Sequence, residues 1–167
     1  SGCLITRGTD LSAGRTVGLA ACIAASLLQR QDYAYKIYKT LPDIPVILPI
    51  LLVIVIGTII GTFNGSVIAY LKVPPFIATL GTQVIVYGFA CIYTNAQPIG
   101  GLRDDFTNLA SGSVFVIPNL ILIASVVILL IWFIYTYTQF GKYIFAIGGN
   151  PNAAEVSGVK VETNLVK

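Results

Sequence analysis

The chain has 167 residues, of which 56% are hydrophobic and 10% charged, and its formal net charge is +3. A soluble chain carries about 25% charged residues, so there is too little polar surface here to coat a globule, and lipid is the expected solvent. The ten basic residues are scattered along the chain, which excludes the clustered stripe of a nucleic-acid binder.

The opening residues, "SGCLIT", read as the tail of an apolar segment and lack the basic start and cleavage site of a signal peptide. With no methionine anywhere, the sequence is expected to be an internal piece of a longer chain. Next comes "TRGTDLSAGR", residues 6–15, a charged and glycine-broken stretch before an apolar run. The carboxylate of Asp10 can accept from the amides of Ser12 or Ala13 and so cap a helix. The partial positive charge of a helix N-terminus favours that carboxylate. One reading is a helix interrupted at a polar point, tolerated at membrane depth only inside protein or beside a water-filled cavity. The other is a plain loop and cap, with Asp10 structural and paired to Arg7 or Arg15.

Four segments are apolar enough to cross a ~30 Å hydrocarbon core. The first, residues 11–29, is dominated by small residues, which suits packing against other helices. The second, residues 44–71, carries no charge and could reach ~42 Å at full helical rise. Its "GTIIGTFNG" places Gly57, Gly61 and Gly65 on one helix face, where another backbone can approach closely. That face is either a static packing seam or one that slides. Asn64 lies beside it and needs a partner across helices or a wet path, because an unpaired amide in lipid is costly. The "NGS" here matches a glycosylation sequon, but its burial in a span argues against use.

"KVPP", residues 72–75, then breaks the chain, since two consecutive prolines make a continuous helix improbable. The third span is residues 76–94, either antiparallel to the second or following a short re-entrant element. The fourth is residues 114–138, with Trp132, Phe133, Tyr135 and Tyr137 crowded at its far end as an interfacial belt. Residues 30–43 and 95–113 form polar connections, and residues 139–167 read as a water-exposed segment. Within it, Asn150 suits an N-cap, Pro151 the first helical position, and Gly158 a left-handed close. Gly148 and Gly149 permit a sharp turn before that short helix. A helix of two turns is marginal alone, so it is expected either to dock on a partner or to lie at the interface.

Several chemistries are missing. Without histidine, and with three widely spaced cysteines, no zinc site, disulfide framework or activated nucleophile is expected. No phosphate loop occurs, so pumped transport would draw its energy from another chain. No cofactor and no metal are expected.

"TRGTDLSAGR", "PPFIATLGTQVIVYG" and "FGKYIFAIGGNPNAAEVSGV" together resemble the permease subunits of bacterial sugar ABC importers, over essentially the whole chain. "GTDLSAGR" is most similar to the galactose/methyl-galactoside type, where ribose and xylose permeases show "GIDLSVG". Gln83 departs from the pattern, standing where an apolar residue is expected, and residues 95–113 match poorly.

The resemblance implies an all-α polytopic fold in the bacterial inner membrane, with further helices before and after these residues. It implies a permease homodimer, a separate ATPase subunit and a periplasmic sugar-binding protein. Gly148, Gly149, Asn150, Pro151, Ala153, Ala154, Glu155, Ser157 and Gly158 resemble the family's ATPase-coupling segment. That puts Lys72 and residues 139–167 in the cytoplasm and the two polar connections in the periplasm. Asp10, Ser12 and Asn64 are the candidates for the translocation pathway. A passive sugar pore and a non-transporting scaffold stand as alternatives.

Overall fold

The computed structural model describes residues 5, 6, 8–114 and 117–166. Residues 1–4 of "SGCLIT", Cys3 among them, Arg7, and residues 115, 116 and 167, which entered the sequence reading above, lie outside the described residues. Among the described residues the architecture is helical apart from a hairpin of two two-residue strands, β1 (Ser113–Val114) with β2 (Ile117–Pro118), and an isolated antiparallel bridge between Gln29 and Leu102.

Helix α1 spans Ala13–Leu27, shorter than the 11–29 read from composition. Its 15 residues reach about 22 Å, below the ~30 Å of a full crossing. The turn at Asp10 trims one end. At the other, the backbone of Leu28 and Arg30 is drawn into hydrogen bonds with residues 101 and 103. Helix α2 (Ile47–Tyr70) and helix α3 (Pro75–Thr94) are long and apolar enough to span a membrane. Lys72 at φ +53° and the two prolines make the break between them. The Asn64–Thr82 hydrogen bond, near the joined ends, makes α2 and α3 an antiparallel pair.

Two contacts give the direction of α1. Leu11 N donates to Thr79 near the start of α3, and Ser26 meets Tyr93 near its other end. Helices α1 and α3 therefore run parallel, with α2 returning against both. Their outer surfaces are apolar and exposed, as lipid-facing surfaces should be: Ile54, Ile59, Ile77 and Phe89 all look outward.

The short helix α4 (Asp104–Ser111) interrupts the second polar connection. Helix α5 (Asn119–Tyr137), the third of spanning length, packs on α4, β2 and the helix that follows it, and buries none of its residues. The chain then turns sharply at Thr138, whose side chain accepts from Gly141 N.

Helix α6 (Gln139–Gly149), helix α7 (Pro151–Val156) and helix α8 (Val161–Val166) close the chain. They lie at the Asp10 end, with α6 against Ile5 and α8 against α2. The sequence reading placed a loop before α7, with Gly148 and Gly149 at a turn. Both glycines instead belong to α6. Gly148 serves close approach, since a Cβ there would collide with the carbonyl oxygen of Ile5. The turn falls at Asn150, in extended backbone.

Candidate functional site

The polar residues of the first three helices converge where the N-terminal end of α1 meets α2 and α3. The hydroxyl of Thr82 lies 2.6 Å from Asn64 Oδ1, and Asn64 Nδ2 donates to Ser12 Oγ at 2.9 Å. Ser12 Oγ donates to Asp10 Oδ1 at 2.7 Å, and Ser12 N donates to the same oxygen at 2.9 Å. The result is a directed relay across three helices that ends on a carboxylate. Ser12, Asn64 and Thr82 are buried while Asp10 is exposed. Thr79 adds a second tie, with its Oγ1 accepting from Leu11 N and lying 3.2 Å from the Thr9 carbonyl oxygen.

This arrangement follows from local chemistry. Asp10 does not cap the helix as its position before an apolar run suggests: Ser12 is the N-cap residue, no side chain bonds the first helical amides, and Asp10 instead folds back on the amide and hydroxyl of Ser12 in a turn just before the helix. The first helical hydrogen bond then runs from Thr16 N to Ser12 O at 2.9 Å. The pairing of Asp10 with Arg15 is not formed. The Arg15 guanidinium instead lies over the Tyr87 ring of α3, 4.4 Å from its centroid.

Beside the relay is a cavity of about 420 Å³. Asp10, Ser12 and Asn64 line it, as do all three glycines of the α2 stripe. The glycines differ in surroundings. A Cβ on Gly57 or Gly61 would meet nothing within 4 Å, whereas one on Gly65 would sit 2.9 Å from Val166 Cα of α8. Among the described residues, another backbone closes on the stripe only at Gly65.

Among α6–α8, Asn150 caps α7, its Oδ1 accepting from Asn152 N at 3.1 Å and Ala153 N at 3.2 Å. Pro151 takes the first helical position and Gly158 follows at φ +84°. Ala154 is buried and holds α7 to its neighbours. Pro151, Ala153, Glu155 and Ser157 face outward, and Val156 is 90% exposed. An apolar side chain so fully bare on a short, well-capped helix suits contact with another surface.

At the opposite end, the two polar connections are knitted together. Arg30 N donates to Gly101 O at 2.8 Å and Arg103 N to Leu28 O at 3.0 Å. The Gln29 side chain donates to Gly100 O and accepts from Ile37 N, each at 2.9 Å. Ion pairs join Arg30 to Asp104, Arg103 to Asp105 at 2.5 Å and Arg103 to Asp43 at 3.6 Å. The hydrogen bond from Arg103 holds the Asp105 carboxyl below its ordinary value, and raises that of Arg103 in return.

Residues 3–166 match the family described as the permease component of the branched-chain amino acid transport system. The chain belongs to this permease family. It is therefore a multi-pass membrane protein of the transport-subunit type, in keeping with its apolar helices. The galactose/methyl galactoside import permease of Haemophilus influenzae is 48% identical over 99% of this chain and 52% of its own length. Its counterpart in Escherichia coli is also 48% identical, over the same shares. The ribose import permease of Haemophilus influenzae is 36% identical over 95% of this chain and 46% of its own length. The chain thus spans about half the length of these permeases. No solved structure matches it.

Within this permease chain, sequence reasoning singled out Asp10, Ser12 and Asn64 but not Thr79 or Thr82. The available signal was the pair of hydroxyls in "ATLGT", three apart and so on one helix face. Nothing in the sequence showed that this face turns toward Asn64.

Proposed function

We propose that the intact protein is the membrane-spanning subunit of an ATP-driven importer for galactose, methyl galactoside or a related monosaccharide. The observation that carries this reading is 48% identity to a galactose/methyl galactoside import permease across 99% of this chain. Its place is the bacterial cytoplasmic membrane, where two copies form the pathway. A separate ATPase subunit binds on the cytoplasmic side, and a periplasmic binding protein delivers the sugar. The described residues form one central part of a single transmembrane domain, with residues 139–167 as its cytoplasmic segment.

In this reading α7 is the coupling element. Its cap at Asn150 fixes a rigid two-turn helix whose bare Val156 and outward Glu155 meet the ATPase. When nucleotide closes the ATPase dimer, α7 moves with it and carries α8 and the Gly65 end of α2. The bundle then exchanges between two states that ligands bias. Asp10 is the relay member that opens to the cavity, and its other carboxylate oxygen can accept from sugar hydroxyls as the path opens.

The test is galactose uptake by the full-length subunit in proteoliposomes with its ATPase and binding protein. Uptake that requires ATP is the expected result. Equal uptake without ATP would assign a passive facilitator instead. Uptake of ribose but not galactose would keep the mechanism and change the substrate.

A further inference from the structure

Across the four apolar helices α1, α2, α3 and α5 there is no Asp, Glu or Lys, and the single Arg is Arg15. Its guanidinium lies over Tyr87, the thirteenth residue of the 20-residue α3. Even if the ring leans a full turn back toward Pro75 and the guanidinium sits its whole 4.4 Å further that way, it lies about 8 Å inside that end. This is hydrocarbon depth, where Arg costs about 2.5–3.5 kcal/mol on insertion scales and marks a functional contact by default. Among the described residues no carboxylate pairs with Arg15. A second copy cannot supply one from these helices, because they contain none.

Gln83 stands one turn before Tyr87 on the same face of α3. It is half-buried, and its amide has no hydrogen-bond partner among the described residues. An amide without a partner and a guanidinium that meets only an aromatic ring, on adjoining faces, are both expensive against lipid. The surroundings leave room: a Cβ on Gly14, Gly18 or Gly88 would meet nothing within 4 Å. Tyr87 itself is 50% exposed.

This patch is distinct from the Asp10 cavity. With about 3.6 residues per turn, the cavity-lining Ala13, Thr16 and Val17 lie to one side of Ser12 on α1. Arg15 and Gly18 lie to the other.

We propose that Arg15, Gln83 and Tyr87 form a sugar-contacting face of the translocation pathway, inside the apolar span on the α3 flank of α1. The ligand class is a neutral pyranose. The guanidinium offers planar paired donors to adjacent hydroxyls. The amide both donates and accepts, and the tyrosine ring gives an apolar surface for the sugar's C–H face. The positive charge would also repel cations and so limit ion leakage along the path. This rests on the reading of the protein as a sugar importer, but not on the Asp10 cavity being the path.

Two measurements on the full-length subunit test it, assembled with its ATPase and binding protein. The first places single cysteines at Gln83 and Tyr87 in a background free of other reactive cysteines, and applies a charged, membrane-impermeant methanethiosulfonate reagent. Both positions should react, and more slowly during turnover with saturating galactose. Absence of reaction would show a face covered by lipid or protein and overturn the proposal.

The second compares galactose uptake by Gln83→Leu and Arg15→Gln with wild type. A rise in KM or fall in kcat of about tenfold is expected. Gln83→Leu makes the span more apolar, which favours insertion, so its loss of uptake is not explained by failure to insert. Wild-type kinetics in both variants would overturn the proposal. Wild-type uptake that needs no ATP would overturn the importer reading alone, and the labelling result would stand separately.

Discussion

The parallel helices α1 and α3 are fastened at both ends, but by opposite chemistry. At the Asp10 end the ties are neutral amide and hydroxyl groups, buried and passed in sequence from Thr82 through Asn64 to Ser12. At the far end they are backbone bonds between residues 28–30 and 101–103, decorated by exposed ion pairs. The buried ties lie where water is scarce, so each group that loses its partner pays a desolvation cost of about 1–3 kcal/mol. Exposed ion pairs contribute little and fade with salt. The lesson is that charge count does not indicate which end is stronger. The end with fewer charges is the firmer one, and it is also the end that faces α7.

The sharpest way to break this comparison is Asn64→Leu. It cuts the relay in the middle: the Ser12 hydroxyl loses its donor and keeps only its bond to Asp10, while Thr82 can fall back on the Ala78 carbonyl oxygen at 3.1 Å. A loss of about 1–3 kcal/mol is expected, read by unfolding of the full-length protein in detergent micelles and unchanged between low and high salt. A change near zero, or one that salt removes, would reverse the ranking of the two ends.

A smaller effect separates positions within the glycine stripe. Gly65→Ala forces its new methyl to within 2.9 Å of Val166 Cα, and α8 must move, at a cost of about 1–2 kcal/mol. Gly57→Ala enters open space and gains helix propensity, so stability should hold or rise by up to about 1 kcal/mol. The same unfolding measurement checks both. Equal losses at the two positions would mean that the cavity is filled by another element in the intact protein.

The smallest effect belongs to Arg103 and Asp105. Because the folded carboxyl titrates below its ordinary value, the contribution of the pair is present above about pH 3.9. It is lost as pH falls through the lower folded value. The titration midpoint of Asp105, followed by NMR, should move up toward the ordinary value in Arg103→Gln. It should do the same in 1 M salt, where screening acts within about 3 Å. No movement in either case would show that the fold, not Arg103, sets it.

How far the sequence could be read depended on the range of each interaction. The turn of Asp10 onto Ser12 and the Asn150 cap of α7 were legible because each side chain bonds an amide only two or three residues away, although Asp10 stops at Ser12 and does not reach the helix itself. The "KVPP" break was legible because proline imposes it locally. Gly148 and Gly149 misled, because glycine permits a turn without requiring one. Contact with Ile5 uses Gly148 inside a helix instead. Thr79 and Thr82 were missed, because their partners at Thr9, Leu11 and Asn64 lie 18 to 70 residues away.

By itself, then, the sequence determined the solvent, the helical class, the α7 cap and the breaks, all of which follow from composition and near neighbours. The tertiary structure decided which faces meet. It turned Asn64 toward Ser12, opened the cavity beside Gly57 and Gly61, and carried Arg15 away from Asp10 to Tyr87. The physical reason is that helical periodicity fixes which residues share a face but carries no information about the face opposite. In lipid, where apolar surfaces do not drive association, that choice falls to a few polar pairs and small-residue contacts between distant parts of the chain.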